Sequence, residues 1–175
     1  MLAVRSPDPV LSLVAPLGLA ASLTTCLVVD LAGDLSLPRA RTLADILADG
    51  PRLEELSPGR PGVALVSAGG VGLEDAVEVI DQLALRWPGI VIRRGEEPWP
   101  GPTVPVFPLY PGFLARTDPD VAVWQPAGAA YEAPGPGPVL PRLRASLARR
   151  LLTGQMPGRS RWVDAWRPVW KLPWA

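Results

Sequence analysis

The chain contains no histidine and a single cysteine, Cys26, among its 175 residues. Histidine is the most frequent general base and the most frequent zinc ligand, so its absence removes the usual starting point for both kinds of site. One cysteine excludes an intramolecular disulfide and a metal site made of several thiolates. We therefore expect no metal site, and we expect Cys26 to be a buried, unreactive thiol.

Lysine is almost missing as well: Lys171 is the only one, although the formal net charge is zero. The charge is unevenly distributed. Residues 142–175 contain eight basic residues and one acidic residue and therefore carry +7, which leaves −7 on residues 1–141. Such asymmetry indicates a basic segment that meets either the acidic body of the same chain or an external anion. We expect the first arrangement.

The longest run without charge covers residues 9–29, and its 21 residues would be long enough to cross a membrane. Proline, glycine and hydroxyl side chains interrupt the run, and residues 23–26 match a bacterial lipobox poorly. We expect a core helix followed by a strand, with a weak membrane segment as the alternative. The expected location is cytoplasmic, with attachment to the inner face of the membrane as a variant.

Strands and helices alternate in the first half of the chain. Short apolar runs rich in β-branched residues predict buried strands at residues 25–31, 62–67 and 90–92. Helical spacing and capping signals predict helices at residues 10–23, 42–49 and 73–87. Residues 104–109 predict a fourth strand, and its prolines place it at a sheet edge. This order predicts an α/β fold with a parallel sheet and flanking helices.

Proline and glycine residues divide the second half of the chain into separate segments. We expect an α/β domain over residues 1–132, with its core at 10–95 and a proline-rich edge segment at 96–132. Residues 133–141 predict a linker. Residues 142–175 predict a basic, tryptophan-rich helical tail.

Three segments resemble the ParA/MinD-type deviant P-loop ATPases. Residues 26–47 read CLVVDLAGDLSLPRARTLADIL, residues 62–70 read GVALVSAGG, and residues 77–95 read VEVIDQLALRWPGIVIRRG. Their order and spacing are similar to a helix, a strand ending in aspartate, and the following helices and strands of that family. The resemblance covers roughly residues 10–95 and implies a three-layer P-loop or Rossmann-like fold.

The part of the family that binds nucleotide is missing. Members have a first strand and then a glycine-rich loop with lysine, because backbone amides and the lysine hold the phosphates. Here only MLAVRSPDP precedes the first predicted helix, so we expect a truncated fold without its first strand. The resemblance makes Asp30 a counterpart of the acid that positions water, and Asp34 a weaker candidate beside it. Without a phosphate site we expect both to be structural, no cofactor to bind, and Gly69 and Gly70 to form a tight turn.

The tail combines aromatic and basic residues. Trp162, Trp166, Trp170 and Trp174 recur at intervals of four, with Arg159, Arg161, Arg167 and Lys171 between them. Pro168 and Pro173 predict a broken helix. The tryptophans could dock on the chain's own core, where they would cover the face left open by the missing first strand. Alternatively they could bind a protein partner or a membrane surface. Nucleic acid fits less well, because the arginines match no recognition motif.

These observations favour a non-catalytic, ParA/MinD-like pseudo-ATPase that acts as a protein-binding or regulatory module. A peripheral membrane protein held by its tail is one alternative, and an enzyme of unrecognised type is another. A protein partner is expected, and a homo-oligomer is a further option.

Overall fold

A computed structural model describes residues 1–33, 35, 41–56, 59, 61–94, 98–110, 121–128, 132–157 and 160–174, with the backbone alone at 54 and 56. Within these residues, six parallel strands form one sheet in the order β3-β2-β4-β1-β5-β6. The strands are β1 (Leu2–Arg5), β2 (Thr25–Asp30), β3 (Gly62–Ser67), β4 (Ile90–Arg93), β5 (Thr103–Leu109) and β6 (Val123–Pro126). The chain therefore has the predicted α/β fold with a parallel sheet.

Helices flank this sheet. They are α1 (Pro9–Ala21), α2 (Leu43–Asp49), α3 (Leu53–Leu56), α4 (Leu73–Ala84), α5 (Ala145–Leu152) and α6 (Arg161–Asp164), followed by a 3₁₀ helix (Arg167–Lys171). In the part of the chain that the structure describes, no helix is both long and apolar enough to cross a membrane. Residues 9–29 form α1 and β2, as expected.

Local sequence signals account for several boundaries. The Thr42 hydroxyl accepts a hydrogen bond from Asp45 N while the Asp45 carboxylate accepts one from Thr42 N, which is a capping box at the start of α2. Gly50, with φ of 76°, ends this helix. The predictions for β2, β3, α2 and β4 are confirmed to within one residue at each end.

The expectation of a missing first strand is wrong. Residues Leu2–Arg5 form β1, which lies inside the sheet between β4 and β5. Leu2, Ala3 and Val4 are buried, because a parallel strand with neighbours on both sides is covered on both faces. The place of the first strand in the sheet is therefore occupied, and the tail does not fill it.

The edge position expected for β5 is also wrong, since β5 lies between β1 and β6. Pro102 O accepts a hydrogen bond from Ala3 N, and Leu109 O accepts one from Ala127 N. The backbone N–H and C=O groups of even-numbered β5 residues therefore point toward β1, and those of odd-numbered residues point toward β6. Pro105 faces β6 before that ladder begins, and Pro108 faces β1 after that strand has ended. Each proline therefore stands at a position where no neighbouring strand would accept a hydrogen bond from a backbone N–H, so the missing N–H costs no bond of the sheet.

The two faces of the sheet carry different helices. Val28 of β2 lies in the cluster of buried residues formed with α1, α5 and α6, whereas Leu27 and Val29 lie in the cluster formed with α2 and α4. This alternation gives a layer of helix on each side of the sheet.

The predicted tail contributes to the main core. Leu151, Trp162, Val163 and Trp166 of the tail belong to the same buried cluster as the α1 residues, and so does Leu140 of the predicted linker. Val139, within the predicted linker, forms a parallel bridge with Trp124 of β6. Residues on both sides of the predicted linker therefore share one hydrophobic core.

Candidate functional site

The carboxyl ends of β2 and β4 meet in a buried ion pair between Asp30 and Arg93. Arg93 Nη1 lies 2.8 Å from Asp30 Oδ1, and the two side chains are 6% and 0% exposed. Arg93 Nε also donates to the Ser12 carbonyl in the first turns of α1, at 3.0 Å. The ion pair thereby connects β2 and β4 to α1.

Both oxygens of the Asp30 carboxylate are engaged. Oδ1 accepts from Ala32 N at 3.2 Å in addition to Arg93, and Oδ2 accepts from Leu35 N at 2.6 Å. A carboxylate held by one guanidinium and two backbone amides is well suited to fixing the turn after β2. It is poorly suited to positioning a water molecule. Asp34, the second acid of the predicted pair, lies outside the described residues.

A short connection joins β1 to α1. Only Ser6, Pro7 and Asp8 separate the two elements. The Asp8 carboxylate accepts from Leu11 N at 2.8 Å and caps the helix, while Asp8 N donates to Ser6 Oγ at 3.2 Å. The helix start therefore already carries a negative group of its own, which repels a phosphate at this position.

Arg94 follows the ion pair and adds positive charge near the end of β1. Burial, and then the neighbouring Arg5, lower the pKa of Arg94 from its ordinary value. Arg94 N donates to Val4 O at 3.5 Å, so the backbone of this residue continues the contact between β4 and β1.

The Gly69–Gly70 pair forms a turn, as expected. Both glycines have positive φ, 70° and 85°, which residues with a side chain rarely adopt. A Cβ on Gly69 would collide with the Thr42 side chain at the start of α2. Backbone conformation and close packing thus explain these glycines without a bound phosphate.

The four tail tryptophans dock on the protein itself to different degrees. Trp162 and Trp166 are 2% and 0% exposed and pack against Gly18 of α1. Trp162 Nε1 donates to Gln125 Oε1 at 2.6 Å, and Trp170 Nε1 donates to Ser22 Oγ at 3.1 Å. Trp174, half-buried, donates to the Val169 carbonyl at 2.7 Å. Trp162 and Trp166 are consequently inaccessible to a bilayer or a partner in this arrangement.

The basic residues of the tail behave differently. Arg161 and Lys171 are exposed. Arg167 is exposed too, and it pairs at 3.0 Å with Asp164. Arg159 lies outside the described residues. The structure therefore places the tryptophans inward and these described cations outward.

Four arginines line a groove between the segment before α5 and the start of α6. Its volume is about 910 Å³, and it is bordered by Arg142, Arg144, Arg150 and Arg161. The partly exposed Leu143 and Leu147 supply apolar surface, and no acidic residue is among the lining residues described. We call this surface the basic groove. An open concave surface with four cations and apolar patches is suited to binding an anionic macromolecule.

Sequence reasoning identified Asp30 and the tail but missed how their partners are arranged. The Arg93 partner of Asp30 was visible as a charge at a strand end, yet the contact depends on β2 lying next to β4. Arg142, Arg144 and Arg150 counted toward the basic tail, yet they were not recognised as one groove. In the described part of the chain, no three side chains of Cys, Asp or Glu are placed so that they could hold one metal ion together.

Comparison with protein-family models, with curated proteins and with solved structures finds no match to this chain.

Proposed function

We propose that this protein is a non-catalytic, ParA/MinD-like pseudo-ATPase that acts by binding another protein chain. The observation that carries the proposal is the β1–α1 junction. In the resembling family, this junction holds the glycine-rich loop with its lysine. Here it consists of three residues, and the last of them places a carboxylate on the first turn of the helix.

The hydrogen bonds of Asp30, at the carboxyl end of β2, also support a non-catalytic protein. Asp30 would be the family's water-positioning acid, but Arg93 and two backbone amides hold both of its oxygens. Three hydrogen bonds from the protein occupy most of the roughly four acceptor positions of this carboxylate. An acid held in this way lends stability to the fold.

The basic groove supports a binding role. It lies on the α1 and α5 side of the molecule and is lined by residues of the predicted tail. Arginine is enriched in protein interfaces because its planar guanidinium can bind carboxylates through two hydrogen bonds. A protein partner with carboxylates fits this surface.

Isothermal titration with Mg-ATP tests the non-catalytic part. We expect no heat beyond dilution, whereas an active ParA-type ATPase in the same buffer, as a positive control, should bind. A micromolar dissociation constant for this protein would refute the proposal.

Affinity capture from native cells tests the binding part. The variant Arg142→Glu/Arg144→Glu should lose a partner that the wild-type chain retains, and Arg52→Glu, an exposed arginine away from the groove, should keep it. Equal recovery of every partner by all three chains would contradict binding through the groove.

A further inference from the structure

No ion pair between described residues joins the two oppositely charged parts of the chain. Residues 142–175 carry +7 and residues 1–141 carry −7. Among the described residues, however, the ion pairs join Arg41 to Asp49 and Glu55, Arg93 to Asp30, and Arg167 to Asp164. None of these pairs connects the described part of the basic tail to the acidic body.

The negative charge includes one well-defined surface on α4. Glu74, Asp75, Glu78 and Asp81 are all exposed, and the helix contains no basic residue. Glu74, Glu78 and Asp81 are four and three residues apart, so they project from the same side of the helix. We call these four residues the acidic face.

The acidic face and the basic groove lie on opposite sides of the sheet. The buried side of α4 belongs to the cluster that contains Leu27 and Val29, whereas Leu151 of α5 belongs to the cluster that contains Val28. A layer of helix roughly 10 Å thick lies on each side of the sheet. The separation therefore exceeds the Debye length of about 8 Å at physiological salt, so the two surfaces cannot neutralise each other within one molecule.

We infer that the basic groove binds the acidic face of a second copy of this chain. The contact is head-to-tail, because the two surfaces differ and lie on opposite sides of the sheet. One pair of molecules can form only one such contact, so each dimer keeps a free groove and a free acidic face, and assembly continues beyond the dimer. This inference rests on the proposal that the protein acts by binding another protein chain, and it identifies the bound chain as a second copy of the same protein.

Sedimentation velocity of the full-length protein tests the inference. At about 0.02 M salt, the average mass should rise with protein concentration beyond twice the 18.6 kDa of one chain, and it should return to one chain at about 0.5 M salt. A constant mass of one chain at low salt would overturn the inference, as would assembly that high salt leaves unchanged.

Two charge-reversed variants make the test specific. Arg142→Glu/Arg144→Glu lowers the summed charge of the four groove arginine positions from +4 to 0, and Glu78→Arg/Asp81→Arg raises that of the four acidic-face positions from −4 to 0. Each variant should associate at least roughly tenfold more weakly than wild type, because one of its two surfaces has lost its net charge. Their equimolar mixture should assemble again, since the unchanged groove of the second variant meets the unchanged acidic face of the first.

All four substitutions lie on exposed side chains, and circular dichroism verifies that the variants are folded. Arg52→Glu and Glu132→Arg serve as controls of the same charge type at exposed positions outside both surfaces, and they should assemble like wild type. Assembly of either double variant alone, or no assembly of their mixture, would overturn the inference.

Vesicles with anionic headgroups and a short DNA duplex provide the last comparison. If either binds the groove while the protein stays monomeric at low salt, the groove serves a membrane or a nucleic acid and the inference fails. Failure of self-association would leave the Mg-ATP result unaffected, so the two proposals can fail separately.

Discussion

At the scale of single residues, the Asp30–Arg93 ion pair is almost completely buried, with its side chains at most 6% exposed. Removing one partner leaves the other charge buried without its counter-ion. Asp30→Asn should therefore lower the free energy of unfolding by about 3–5 kcal/mol, measured by urea denaturation. Combining it with Arg93→Met should be less damaging than the sum of the two single changes, with a coupling of about 1–3 kcal/mol.

The Arg167–Asp164 pair is a matched control. Its 3.0 Å separation is similar, but its side chains are 69% and 49% exposed. Asp164→Asn should lower stability by less than about 1 kcal/mol, because water screens an exposed pair. Equal effects of Asp30→Asn and Asp164→Asn would show that the buried pair does not stabilise the fold.

Cys26 carries a second prediction at this scale. Burial raises the pKa of its thiol from the ordinary 9.0 to about 12. The folded protein therefore favours the protonated thiol, and this contribution to stability is complete below pH 9.0 and declines as the pH rises toward about 12. Iodoacetamide should label Cys26 at pH 8 only after unfolding in guanidinium. Rapid labelling of the native protein would contradict this assignment.

At the scale of elements, the contact between α1 and the tail depends on Gly18. Trp162 and Trp166 approach this glycine so closely that a Cβ would collide with the Trp162 ring and lie 2.8 Å from Trp166 Nε1. Alanine in a helix is ordinarily more favourable than glycine by about 0.5–1 kcal/mol. Here Gly18→Ala should instead destabilise the protein by about 1–3 kcal/mol, because the core is overpacked.

Thermal unfolding monitored by circular dichroism measures this effect. In a Trp162→Leu background, the same Gly18→Ala change should be less destabilising than in the wild-type background, because only the close approach to Trp166 Nε1 remains. A higher melting temperature for Gly18→Ala alone would show that α1 and the tail do not pack as described.

Sequence signals predicted those elements that carry their own pattern. The Thr42–Asp45 capping box and the apolar runs of β2 and β3 are local, so their positions follow from neighbouring residues. The missed strands, β1 (LAVR) and β6 (VWQP), have four residues each. Such segments become strands because adjacent strands pair with them, and strand order is not a local property of the sequence.

The same distinction separates what was found at the candidate site from what was missed. Asp30 stands at the end of a recognisable strand and could be selected from the sequence. Its contact with Arg93 arises because β4 lies beside β2, although 63 positions separate the two residues. The basic groove likewise requires residues near α5 and α6 to be brought together by the packing of the tail on α1.

At the scale of the whole molecule, the tail completes the core of the domain. One buried cluster extends from β1 and α1 to Val169, within the 3₁₀ helix. A chain that needed the tail only for partner binding could lose it and remain folded. This chain would expose α1 and the neighbouring strands instead, so the proposed binding through the groove and the stability of the fold depend on the same segment.

Deletion of residues 159–175 tests this dependence. The deletion removes Trp162 and Trp166, and loss of each buried tryptophan should destabilise the protein by about 3–5 kcal/mol. Their sum is comparable with the total stability of an ordinary domain, about 5–15 kcal/mol. We expect the truncated chain to be insoluble or to show no cooperative thermal transition by circular dichroism.

Deletion of residues 173–175, which removes only the half-buried Trp174 among the tryptophans, should shift the melting temperature by a few degrees at most. A soluble chain ending at residue 158 with a wild-type melting temperature would mean that the tail is dispensable for the core, and that its tryptophans serve a different surface.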